Sequence, residues 1–119
     1  MMMESLLPYD ASNHNEKLLS SCPPLSWGIL GTGRICHDFV QALKHLPSAK
    51  VVAVGASSSS DRASSFAKKH SIEAAYGNYQ SLVDDPCVEI VYVGNVHAFR
   101  KEIGILVLNA GKHVLFEVS

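Results

Sequence analysis

The 119-residue chain has no apolar run of transmembrane length and no run or stripe of basic residues, its ten Lys and Arg being set against eleven Asp and Glu. The first absence argues against a spanning helix. The second removes the footprint with which a protein neutralises phosphates over nucleic acid or an anionic membrane, so neither is expected as a partner. Cysteine is scarce: Cys22, Cys36 and Cys87 are an odd set with no Cys-x-x-Cys pair. That is not a disulfide framework, and it points to free thiols in a reducing, cytoplasmic compartment. His14, His37, His45, His70, His97 and His113 show neither His-x-x-x-His nor mixed Cys/His ligand spacing, which argues against a structural zinc site. Residues 1–24 lack the positive start and continuous apolar core of a secretory signal, and they hold no arginine, as a transit peptide would. They read as a mobile leader closed by Cys22-Pro23-Pro24, where two prolines stop any helix.

From Leu25 onward short apolar runs alternate with segments of helical periodicity, the pattern of a parallel sheet with crossover helices in a single α/β domain, 25–119. Strands are expected at 25–30, 51–56, 72–76, 89–94 and 113–117. A first helix over 34–46, stopped by Pro47, would turn Ile35, Phe39, Ala42, Leu43 and Leu46 inward. A second, capped by Ser60 or Asp61 and running to His70, would bury Ala63, Phe66 and Ala67. A turn and short helix fill 77–85 before Pro86. A last helix, His97 to Ala110, places Phe99, Ile103, Leu106, Val107 and Ala110 on the sheet and stops at Gly111.

The richest segment is Ser26-Trp27-Gly28-Ile29-Leu30-Gly31-Thr32-Gly33-Arg34-Ile35, an apolar strand that breaks into Gly-x-Gly and starts a helix. Gly31 permits a tight turn. Gly33, without a Cβ, lets a pyrophosphate reach the backbone, and the unpaired N–H groups of the following helix face the anion. Where the Gly-x-Gly-x-x-Gly pattern has its third glycine this chain has Cys36, small enough for helix and strand to pack closely. Taken alone, the turn serves equally well as an ordinary strand-to-helix connection.

That run, the Val52-Ala53-Val54 strand, the Tyr76-Gly77-Asn78-Tyr79 turn and the close Ala110-Gly111-Lys112-His113-Val114-Leu115-Phe116-Glu117 together resemble the N-terminal half of the glucose-fructose oxidoreductase and inositol dehydrogenase (Gfo/Idh/MocA) superfamily, its dihydrodiol dehydrogenase branch above all. The resemblance covers about residues 26–117 and implies a Rossmann-type, doubly wound sheet of order 3-2-1-4-5 that ends after its fifth strand. It implies that Gly31, Gly33, Arg34 and Ile35 line the pyrophosphate, with Thr32 counted among the cofactor residues. Ser57 and Ser58 fall where the family meets the adenosine ribose, often with an arginine for a 2′-phosphate. A carboxylate there would accept from a 2′-hydroxyl and repel a phosphate, so its absence, with Arg62 in reach, favours NADP while leaving NAD open. Asn95, Val96 and His97 fall where the family lays a segment against the cofactor. Asn95 suits a ribose or phosphate contact, and His97 reads rather as a helix-start residue than a catalyst.

Glu117 matches the family's glutamate, but Val118 stands in place of its lysine and Ser119 in place of its proline. The resemblance gives that lysine the task of moving the substrate proton during hydride transfer, and valine has no ionisable group. The family's C-terminal substrate domain, with its dimer surface, has no counterpart here. The expectation is the nucleotide-binding domain of an NADP-dependent oxidoreductase of dihydrodiols or sugars, in a truncated form not competent for turnover alone. Its alternatives are a non-catalytic NAD(P)-binding regulatory module and a structural α/β domain without cofactor. The exposed fifth strand is a candidate edge for association.

Overall fold

The computed structural model describes residues 24–57, 59–94 and 100–117. Five strands, β1 (Leu25–Leu30), β2 (Ala49–Gly55), β3 (Ala74–Tyr76), β4 (Ile90–Val93) and β5 (His113–Phe116), form one all-parallel sheet of order β3-β2-β1-β4-β5. Helices α1 (Arg34–Leu43), α2 (Ser60–His70), α3 (Tyr79–Val83) and α4 (Arg100–Asn109) make the crossovers. The class is the one read from the sequence, and the strand order is the one the family resemblance implies. Among the described residues no helix is long and apolar enough to cross a membrane.

Alternation along the strands builds two cores. Ile29, Val54 and Tyr92 face α1 and α2, meeting Cys36, Val40, Leu43, Phe66 and Ala67. Their neighbours Leu30, Ala53, Val91 and Val93 face the other way, onto Leu82, Val83, Ile103 and Val107 of α3 and α4. Phe39 stacks on Tyr92 at 3.8 Å and meets the edge of Trp27 at 5.2 Å, tying α1 to the centre of the sheet. The direction in which the strand order grows reverses between β1 and β4, and in such sheets the crevice beyond the carboxyl ends of those strands is where ligands bind.

Several boundaries and one helix face differ from expectation. α1 ends at Leu43, three residues early, because Pro47 disfavours helical backbone at Leu46 and the chain tightens: His45 N donates to Ala42 O and Leu46 N to Leu43 O, each three residues back. Its buried stripe is Cys36, Val40 and Leu43, while Ile35 is 40% and Leu46 50% exposed and Ala42 is also exposed. The helix starts directly on the glycine turn, and the Cys36 thiol donates to the Leu30 carbonyl at 3.7 Å, which rotates the stripe by one residue. α2 is capped by Ser59, not Ser60 or Asp61: its Oγ accepts from Arg62 N at 3.1 Å. β2 starts early, at Ala49, where it pairs with Leu25. β3 keeps only Ala74–Tyr76, and Ile72 is buried ahead of it. The leader, and residues 97–99 of the last expected helix, lie outside the described residues.

Cys36 is fully buried, and the neighbour that makes room for it is Gly94. A Cβ on Gly94 would lie 2.4 Å from Cys36 Sγ and 2.8 Å from Tyr92 Cε2. Space absent from α1, because its third motif position is not glycine, is supplied by a glycine at the end of β4. Gly94→Ala is therefore expected to lower stability by about 1–3 kcal/mol, the usual range for overpacking, in urea unfolding. Cys36→Ala in the same background should recover part of the loss.

Candidate functional site

At the end of β1, Gly31 has φ 121°, a value that L side chains rarely adopt, and its N–H donates to Gly55 O at 2.9 Å. This bond holds the turn against the end of β2. Gly33 caps α1 in extended conformation, with no side-chain cap and no acidic residue in the first turn. The first-turn amides thus have no side-chain acceptor, and the positive end of the helix dipole faces the crevice. Gly33 itself has φ −84°, open to any residue, and a Cβ built on it meets nothing within 4 Å. Neither backbone conformation nor internal packing requires glycine there.

Beside the turn lies an open groove of about 540 Å³ lined by Thr32 on one wall and Asp61, Arg62, Ser65, Phe66 and Lys69 on the other. The α2 residues recur at the three- and four-residue spacings of one helix face. The groove presents one carboxylate, two cations, two hydroxyls and one aromatic ring, a set suited to an anionic group joined to a flat, partly apolar one.

Of the residues singled out from sequence, Thr32 and Arg62 meet at this groove, and Gly31, Gly33, Arg34 and Ile35 form the adjoining turn and helix start. Arg34 is 91% exposed and pairs with Asp38 at 3.9 Å, a solvent-screened contact. Ser57 is exposed just past β2. Glu117 is engaged elsewhere: its N–H donates to Val93 O at 3.0 Å and its carboxylate accepts from Tyr92 Oη, clamping β5 to β4. Burial, then that hydrogen bond, push the Tyr92 phenol well above its ordinary range. Ser58, Asn95, Val96, His97 and Val118 lie outside the described residues. Sequence reasoning passed over Asp61, Ser65 and Lys69 as groove residues. The signal was there, since 61, 65 and 69 are spaced by four on the polar side of α2.

Burial pushes the Cys36 thiol up to about 11, so at neutral pH it is a packed, uncharged donor rather than a nucleophile. Behind the groove, the Phe66 ring lies 4.4 Å from that of His70, which is 5% exposed. His70 Nδ1 faces Lys44 Nζ at 3.5 Å, and its Nε2 faces His37 Nδ1 at 3.0 Å. A lysine ammonium can only donate, so Nδ1 accepts and the Nε2 proton is given to His37. Among the described residues no group of three or more His, Cys, Asp or Glu could hold a metal ion.

Residues 25–118 match the oxidoreductase family with an NAD-binding Rossmann fold. Trans-1,2-dihydrobenzene-1,2-diol dehydrogenases are similar in sequence: those of Danio rerio and Homo sapiens are each 47% identical over 95 residues, 78% of this chain and 28% of the relative. The chain thus spans little more than a quarter of those relatives' length. Among solved structures, a 3-ketoreductase from Actinomadura kijaniata in complex with NADP is 31% identical, with a TM-score of 0.74 over 80% of this chain and 30% of that one. A probable dehydrogenase from Thermotoga maritima is 30% identical, with a TM-score of 0.72 over 77% and 27%.

The buried histidine makes stability depend on pH. Burial first, then charge repulsion from Lys44, His37 and Lys69 against a protonated ring, lower the His70 pKa from its ordinary 6.5. The native state therefore holds His70 neutral where the unfolded chain protonates it. Its contribution is complete above about pH 6.5 and is lost as pH falls through the lower native value. The urea midpoint is expected to drop between pH 7 and pH 5, and to drop less in His70→Gln.

Proposed function

The chain belongs to the oxidoreductase family with an NAD-binding Rossmann fold, and we propose that its domain over 25–119 binds a nicotinamide dinucleotide, NADP in preference to NAD, as the nucleotide-binding part of an oxidoreductase of dihydrodiols or sugars. The observation that carries this reading is Gly33. At the uncapped start of α1 stands a glycine that neither its φ nor its surroundings demand, and a Cβ there would project into open space. A glycine without an internal reason is explained by an external one, the close approach of a pyrophosphate to the backbone. The fit extends to Gly31, Thr32, Arg34 and Ile35 around the turn, and to Arg62 and Ser57 for the adenosine end.

Preference for NADP is supported by charge. Arg62 and Lys69 outnumber Asp61 in the groove, and Ser57 leaves the end of β2 neutral. The NADP complex of the A. kijaniata ketoreductase points the same way. Asn95 is assigned to a ribose or phosphate contact, with Val96, His97 and Glu117 among the cofactor residues. Substrate class follows the names of the dihydrodiol dehydrogenases.

When bound, the dinucleotide gives or takes a hydride. What this chain's residues add is the cradle for its phosphates. Proton transfer needs an ionisable group beside the reacting carbon, and Val118, where the family's lysine is expected, has none. The 119 residues alone are therefore proposed to bind without turning over. The same reading includes a reducing, cytoplasmic compartment, supported by the free thiols Cys36 and Cys87, and association through the edge of β5, supported by Leu115, which is 42% exposed.

Gly33→Val tests the cradle: calorimetric binding of NADP should fall by at least about tenfold while the circular dichroism spectrum is retained, because the added branch meets ligand and not protein. Unchanged binding would make the turn structural. NADPH formation, followed by its absorbance with dihydrodiols or sugars, is expected to be absent for the 119-residue chain. Lys at 118 should not restore it alone, since proton transfer contributes about 10²–10⁴ in rate and substrate positioning several kcal/mol more.

A further inference from the structure

The groove contains an acidic residue that the preference for NADP does not explain. We infer that Asp61 sets how strongly this chain discriminates between NAD and NADP, an inference that rests on the dinucleotide reading and names the residue that tunes it. Asp61 stands in the first turn of α2, on the wall that carries Arg62 and Lys69 and faces Thr32 across the groove. Among the described residues the ion pair formed is Arg34 with Asp38, so Asp61 and Arg62 do not neutralise each other. Lys69 lies eight residues further, about 12 Å along the helix axis, too far to pair with Asp61. Two opposite charges at one end of the groove are both available to whatever enters it.

The chemistry of the ribose then decides. A free 2′-hydroxyl offers a proton that a carboxylate accepts, and Asp61 favours it. A 2′-phosphate offers only negatively charged oxygens, which Asp61 repels and Arg62 can grip with two parallel N–H bonds. Ser57 at the end of β2 is neutral and exposed, so the choice passes from the strand end, where the sequence reading placed it, to the first turn of α2. Asp61 holds the preference for NADP below what Arg62 and Lys69 would otherwise impose.

The test uses 5′-AMP and 2′,5′-ADP, which differ in the 2′-phosphate and lack the nicotinamide, beside NAD and NADP, titrated calorimetrically into the 119-residue chain. Asp61→Asn is expected to tighten 2′,5′-ADP and NADP by roughly three- to tenfold, the size of one like charge removed at a partly solvated site, and to weaken 5′-AMP and NAD. Asp61→Glu should keep the parent's ratio. Arg62→Gln should weaken the two 2′-phosphorylated ligands selectively. Circular dichroism and thermal melting verify that each variant folds. An Asp61→Asn variant that folds and shifts both ligand classes equally, or neither, overturns the role of Asp61 while the dinucleotide reading stands. A parent chain that takes up none of the four ligands overturns both.

Discussion

The close approach of α1 to the sheet is the constraint on which the rest depends. A helix N-terminus can present its amides to a ligand only if it sits directly over the strand ends, and here it is seated by Cys36, which packs under the first turn and donates to Leu30 O. Gly94 leaves the room, Tyr92 and Phe39 stack along the same helix, and Gly31 makes the turn that joins strand to helix. Were α1 to lift, the groove between Thr32 and α2 would lose one wall. Fold and site are thus one packing problem, solved by exchanging the small residue between α1 and the end of β4.

The sheet was the legible part. Each strand is a short apolar run bounded by turn residues, the alternation of strand and helix makes the sheet parallel, and the family resemblance supplies its order. The inward face of α1 was harder to read. Phe39 and Leu43 face the sheet as the periodicity predicts, but periodicity does not say whether Ile35 and Leu46 or Cys36 and Val40 complete the stripe that the turn aims at the sheet. His70 was equally hidden. A histidine in the last turn of a helix reads as solvated, and only the packing of α1 beside α2 shows that it is buried.

The site divides in the same way. Gly31 and Gly33 carry their meaning in sequence because glycine's absence of a side chain is itself the signal. Asp61, Ser65 and Lys69 carry none singly, since a charged or hydroxyl residue on an exposed helix face is commonplace. They gain meaning from the groove they share with Thr32, a residue about thirty positions away in sequence that the glycine turn brings opposite them. Glu117 is the converse: chosen by resemblance, it is held by Tyr92, so any part it takes in holding the cofactor is coupled to that clamp.

The hydrogen-bonded line from Lys44, the residue that caps the end of α1, passes through His70 of α2 and returns to His37 of α1. One wall of the groove rides on the helix that holds the glycine turn, and the other is α2 itself. The line is therefore a strut: the width of the groove is gauged by the span of two imidazole rings rather than by loop backbone. A gap set by rigid planar groups resists both widening and collapse.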